Sequence, residues 1–176
     1  MTWRGSFWEG MLCLNAWRGF TQTGDRRWWS MLRGPANKDL LLQVSSPVEN
    51  GPQPPSAEQL TSFQHLLSHQ EAIRDAVLEA VFADYLRLRE CYGDAVDGQS
   101  MPPISQASGL LRLLSPNIVH VLANPKDGFT RVGFGFDCKW DEEHGLGVLT
   151  HRGAVIATGG ADEAFNEYFP DLERGE

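Results

Sequence analysis

Hydrophobic positions change their period along the chain, and the changes mark out its elements. The first 29 residues carry five of the six tryptophans, Trp3, Trp8, Trp17, Trp28 and Trp29. Trp3-Arg4-Gly5-Ser6-Phe7 is echoed by Trp17-Arg18-Gly19-Phe20. Two copies of so short a string fall below a repeat architecture. They read as two aromatic strands of a meander, since Trp and Phe suit a pleated, half-buried surface and glycine marks the bends. An exposed aromatic patch for a partner is the sharper alternative. Trp28–Leu32 and Lys38–Ser45 flank Arg33-Gly34-Pro35-Ala36-Asn37 and predict a hairpin. Within it, Leu40-Leu41-Leu42 fits a strand buried on both faces. Residues 45–55 are a loop by composition.

From Ser56 the period becomes helical. Ser56-Ala57-Glu58-Gln59 is a capping box, and Leu60, Phe63, Leu66 and Leu67 then share one face. Ser68-His69-Gln70-Glu71 is a second capping box, which predicts a break and a fresh helix. Ile73, Val77, Val81, Phe82, Tyr85 and Leu88 extend the apolar stripe, and Gly93 stops it. Ile104–Leu114 predicts a short helix that ends at Ser115-Pro116. After Asn117 the period drops to two. Ile118–Leu122 is a strand, Asn124–Gly128 a hairpin turn, and Phe129–Cys138 a strand with Val132, Phe134 and Phe136 on one face. A turn over Lys139–Gly145, a strand from Leu146, a reversal at Arg152-Gly153 and a strand over Ala154–Thr158 follow. Residues 161–169 make a short C-terminal helix carrying Ala164, Phe165, Tyr168 and Phe169.

The prediction is an α+β fold. A mainly antiparallel β-sheet packs against a long, kinked central helical region, with a short C-terminal helix. One domain over 1–176 is expected, made of a Trp-rich β part (1–45), a helical part (56–92), a β part (117–159) and the C-terminal helix.

Charge narrows the classes of function. The formal net charge is -8. Residues 1–55 hold six Lys/Arg against four Asp/Glu, and residues 56–176 hold nine against nineteen. An acidic surface repels phosphate backbones and favours basic partners and cations, so nucleic acid is not an expected partner. Three scattered cysteines, Cys13, Cys91 and Cys138, form no CxxC pair, and free thiols suit a reducing cytoplasm. The N-terminus lacks a secretory pattern and no apolar run reaches membrane-spanning length, so a cytoplasmic, non-membrane protein is expected.

The stretch GFGFDCKWDEEHGLGVLTHRGAVIATGGADEAF, with the helix HQEAIRDAVLEAVFADY, resembles an uncharacterised bacterial family known only as a domain of unknown function. Its members carry a W-D-x-E-H-G-x-G-V block followed by G-x-A-D-x-A-F. Here the matching positions are Trp140, Asp141, Glu143, His144, Gly145, Gly147 and Val148, then Gly160, Ala161, Asp162, Ala164 and Phe165. The resemblance spans roughly residues 35–170. It implies no established activity. A looser likeness to small acidic proteins encoded beside toxins implies an immunity-type role, by analogy alone.

The candidate site is the turn Trp140, Asp141, Glu142, Glu143 and His144. Together with Asp137 it sets four carboxylates and an imidazole within eight residues. Such oxygens suit a hard cation, yet the calcium-loop spacing is absent. The turn also reads structurally: Asp141 bonding turn amides, Glu143 pairing with an arginine, Gly145 and Gly147 admitting tight backbone. His144 and His151 lie seven apart, which puts them on opposite faces of a regular strand unless a bulge intervenes. His120, on another strand, can approach either. His65 and His69 share a helix face but have no third ligand at motif spacing. Walker, G-x-S-x-G and zinc motifs are missing, and Gly133-Phe134-Gly135 lacks the third glycine of a phosphate loop. Gly159–Asp162 precedes a helix, with Asp162 as its N-cap. No cofactor and no metal are expected.

The leading expectation is a non-enzymatic, acidic binding protein of immunity type. Its partner is a protein, a basic toxin, steered by charge. The rivals are a small metal-dependent hydrolase using Asp141, Glu143 and His144, and a structural subunit that docks through its Trp-rich N-terminus.

Overall fold

The structure is a computed structural model, and it describes residues 1–4, 7–20, 39–46, 53–95 and 98–167. Seven strands form one sheet in chain order: β1 (Thr2–Arg4), β2 (Phe7–Leu12), β3 (Leu40–Ser45), β4 (Leu114–Lys126), β5 (Phe129–Cys138), β6 (Asp141–His151) and β7 (Ala154–Gly159). Neighbours pair antiparallel except β3 and β4, which run parallel. A parallel pair needs a crossover connection. Here the crossover carries α1 (Ala57–Ser68) and α2 (Gln70–Tyr92). The expected α+β architecture is therefore the observed one.

Alternation along the strands separates the two faces of the sheet. Val119 and Val121 of β4, Val132, Phe134 and Phe136 of β5, and Leu146 and Val148 of β6 form a buried row system with Leu66, Ile73, Val77 and Val81 of the helices. Trp17 joins this core, its ring stacked on Phe134 at 4.8 Å and on Phe20 at 5.7 Å. Burial on this scale stabilises by about 1.5–3 kcal/mol per large apolar side chain. The opposite face carries His120, Gly133, Leu149 and Ala157 in one register row.

Several local expectations change. Trp17 belongs to a 3-10 helix, Asn15–Trp17, not to a second aromatic strand. Trp3 and Trp8 do face each other across β1 and β2, with centroids 5.3 Å apart. Trp28, Trp29 and the hairpin over Trp28–Asn37 lie outside the described residues, as do Tyr168 and Phe169. Strand β3 pairs with β2 and β4 and buries Leu40, Leu42 and Val44, while Leu41 is half-buried. The C-terminal helix is a 3-10 helix, Ala161–Phe165, and its N-cap is Gly160.

Helix α1 departs most from its apolar pattern. Its cap forms as expected: Ser56 accepts from the Gln59 amide and Gln59 reaches back to the Ser56 amide. Leu60 and Leu67, however, are 50% and 39% exposed, while Gln59 and Ser62 are buried beside Leu66. The reason is hydrogen bonding. Gln59 Nε2 donates to Ser45 O at 2.8 Å and to Leu122 O at 3.0 Å. Ser62 Oγ donates to Thr130 O at 3.0 Å and accepts from Thr130 N at 2.8 Å. The β4–β5 register shifts between Val121 and Pro125, and buried backbone groups left unpaired there would be expensive. The helix turns polar atoms inward to meet them. At Ser68 the break occurs, but without a second capping box: His69 caps α2 with no side-chain bond, and Ser68 Oγ donates back to Gln64 O.

The region after α2 also differs. The helix expected over Ile104–Leu114 is a 3-10 helix, Ala107–Arg112, and β4 already starts at Leu114. Pro116 sits inside β4 beside a register shift, where its missing N–H disturbs no regular ladder. The loop before β6 is only Lys139-Trp140, shorter than the predicted turn. Asp127-Gly128 and Arg152-Gly153 make two-residue hairpin loops with both φ angles positive, the pattern of a type I′ turn.

Candidate functional site at the acidic turn

The turn between β5 and β6 is rooted on both sides. Cys138 is buried, its Sγ lies 3.5 Å from Asp141 O, and burial pushes its thiol up to about 12. Lys139 N donates to Leu113 O at 3.1 Å. Trp140 is half-buried and meets Tyr85 of α2 edge-on, with centroids 5.0 Å apart. Tyr85 is itself fully buried, and its hydroxyl donates to Pro102 O at 2.7 Å. Trp140 thus anchors the turn to the core rather than displaying an indole.

Asp141 performs the structural task foreseen for it. One oxygen, Oδ1, accepts from His144 N at 2.9 Å and lies 3.0 Å from His144 Nδ1. That hydrogen bond raises the His144 pKa first, followed by the charges of Asp141, Glu143 and Asp162. Glu142, Glu143 and His144 are exposed. The pairing Phe136↔Leu146 then Cys138↔Asp141 makes the start of β6 a bulge, and Gly145 within it has φ +67°. Simple alternation from His151 back to His144 does not survive that bulge.

The second half of the family block packs against the first. A Cβ on Gly147 would stand 2.5 Å from Gly160 O and 2.6 Å from Ala164 N; one on Gly133 would stand 1.8 Å from Ala164 O. Both positions need glycine because the 3-10 helix lies directly on the sheet backbone. Asp162, beside Ala161 in the 3-10 helix, adds the smallest of the charge effects that raise the His144 pKa. The turn and the 3-10 helix seated beside it thus make an acidic corner, with Asp141 bonded to His144, Glu142 and Glu143 exposed on the turn, and Asp162 on the helix.

The other candidate residues lie elsewhere. Asp137 accepts from Asn117 Nδ2 at 2.9 Å and is half-buried. His120 is 1% exposed in the middle of β4, where Nε2 lies 2.8 Å from Ser45 Oγ. Burial lowers its pKa to about 4. His151 pairs with Arg131 at the far end of β6, and desolvation lowers its pKa. Neither is brought to the acidic turn. His65 and His69 stack at 4.1 Å, and burial followed by the His69 charge lowers the His65 pKa. Among the described residues no group of three or more His, Cys, Asp and Glu side chains is placed to hold a metal ion. Two hollows lie away from the turn. One of about 10 Å³, lined by Ser62, Thr130 and Thr150, has room for about one water. The other, about 420 Å³, is a shallow groove along Pro103–Arg112.

Pattern reading missed Gln59, Ser62 and the Ser45–His120 pair. Polar residues at a helix start or strand end are ordinary, and no local signal says which of them will face inward.

Residues 23–165 match the family model described as Domain of unknown function (DUF6985), and the chain belongs to that family. The match ends on Phe165, the last residue of the second block. No curated protein and no solved structure matches the chain significantly.

Proposed function

We propose that this member of the family is a non-enzymatic bacterial binding protein of immunity type, which covers a basic surface of a toxin in the cytoplasm. The observation that carries the reading is the acidic corner. Its carboxylates stand on a base fixed by Trp140, by the Asp141–His144 bonds and by the seated 3-10 helix. A fixed set of like charges is suited to steering an oppositely charged partner and setting its register. Division of labour within the corner is clear. Asp141 holds the turn, while Glu142 and Glu143 face solvent. The two described hollows include no residue of Trp140–His144, which favours recognition by a surface over chemistry in a pocket.

Co-expression with the products of adjacent genes tests this. A neighbouring gene product that arrests growth alone, and is silenced by this chain but not by its Glu142→Gln/Glu143→Gln form, supports the proposal. Growth arrest that both forms relieve equally, or neither relieves, contradicts it.

A further inference from the structure

The 3-10 helix Ala161–Phe165 is a strap across the outer face of the sheet, the face turned away from α1 and α2. Asn166 Nδ2 donates to Glu163 Oε1 at 3.2 Å within it. Glu163 N donates to Gly160 O and Asn166 N to Glu163 O, both closing turns within the strap. Among the described residues its contacts with the sheet include three kinds. Ala164, fully buried, sits over Gly133 and Gly147. Glu167 accepts from Ala123 N at 3.0 Å and Asn124 N at 3.4 Å, and its carbonyl accepts from Arg131 Nη1 at 3.2 Å. Phe165 meets the His120 ring edge-on, with centroids 4.9 Å apart.

His120 is an unusual residue to stand there. Phe7 of β2 meets the same ring at 5.0 Å and 88°. The imidazole is thus held between two phenyl rings, and His120 is 1% exposed. Ser45 Oγ satisfies Nε2, and Nδ1 has no hydrogen-bond partner among the described residues. A neutral ring tolerates that place because it carries a single unmade bond. A protonated ring carries a second donor and a whole charge with no anion against it. Charged and titratable groups on the surrounding elements are Arg4 and Glu9 of β1 and β2, Lys126 at the end of β4, Arg131 and Asp137 of β5, His151 of β6, Asp162 and Glu163 of the strap, and Glu167. None of them bonds the ring. Glu9 is engaged by Gln43 Nε2 at 2.7 Å, and Glu167 by the amides named above. Phe165 is the one of the two phenyl rings that the strap carries, so lifting the strap uncovers that side of the imidazole.

We propose that His120 is a proton-sensitive latch: the neutral ring keeps the strap Ala161–Glu167 seated, and protonation releases it from the glycine floor of β5 and β6. The device does not depend on the toxin-binding reading. Its direction follows from linkage. The ring's pKa is held down to about 4 with the strap seated and returns toward 6.5 once water reaches it. The seated state is therefore fully favoured above pH 6.5 and weakens as pH falls toward 4. Those two values shift the opening equilibrium by about 100-fold at pH 4.

Hydrogen–deuterium exchange of the strap, corrected for intrinsic rates, reads this out on the full chain between pH 7 and 4, beside an NMR titration of the His120 ring. Wild-type protection over 161–167 is expected to fall by about 100-fold along the ring's titration. His120→Gln and His120→Phe are expected to stay protected to pH 4. Glu167→Gln is expected to keep the pH step, and Gly133→Ala to expose the strap at pH 7. A wild-type strap that stays protected at pH 4, or opens without following the ring, overturns the proposal. So does a His120→Gln strap that opens like wild type. If neither His120 variant folds, the two wild-type measurements decide alone.

Discussion

Replacing Gln59 with alanine tests the claim that α1 is seated by polar contacts rather than by its leucines. Gln59 is 4% exposed and makes three hydrogen bonds. Two satisfy Ser45 O and Leu122 O, in residues that are 8% and 0% exposed. Alanine removes the side-chain donor from both buried carbonyls, at about 1–3 kcal/mol each. The third bond belongs to the helix cap and contributes about 1 kcal/mol. The sum is about 3–7 kcal/mol, which for a chain of this size lowers Tm by about 10–20 °C. Urea unfolding followed by far-UV circular dichroism measures it. Gln64→Ala, one turn on and exposed, is the control and is expected within about 0.5 kcal/mol of wild type. A Gln59→Ala loss below about 1 kcal/mol would refute the reasoning, because water would then be reaching those carbonyls.

Three more outcomes follow from the turn and its seat. The His144 ring is expected to titrate above 6.5 by NMR and to fall back in Asp141→Asn, since the Asp141 bond is the main cause of its raised pKa. The charged ring is favoured in the folded turn below its pKa and that preference vanishes as pH rises through it; a ring indifferent to Asp141→Asn contradicts the bond. Gly147→Ala forces a Cβ against Gly160 O and Ala164 N and is expected to destabilise by about 1–3 kcal/mol in urea unfolding. Cys13 and Cys91 are exposed and Cys138 is buried with its thiol pushed up to about 12, so a thiol reagent is expected to modify two cysteines in the native chain and the third only after unfolding.

How much of this was readable beforehand depends on the element. Period-two alternation identified β5 because Val132, Phe134 and Phe136 all face one buried layer, and Asp127-Gly128 announced its turn. Ser56 and Gln59 announced the start of α1. What periodicity could not weigh was a polar residue facing inward. Leu60 and Leu67 looked like the buried stripe, yet Gln59 and Ser62 took that place because a broken ladder in β4 and β5 needed partners. That need arises between segments more than 60 residues apart, as the Gln59–Leu122 bond spans 63 positions. Trp17 was placed in the core's favour but in the wrong element, because a short aromatic string fits a strand and a 3-10 turn equally well. At the candidate site, the residue types showed that Asp141 could brace the turn. They marked Gly147 as a place for tight backbone, but did not show that Ala164 is what lies on it and on Gly133.

The most direct test of the central claim is the affinity of a co-purified basic partner for the acidic corner, measured by biolayer interferometry across a salt series. Glu142→Gln/Glu143→Gln keeps Asp141, which bonds His144 N and lies against its ring. The account predicts a wild-type association rate that falls with salt, and a rate about tenfold lower at low salt for the double variant. Equal rates for both chains, with no salt dependence, would contradict it.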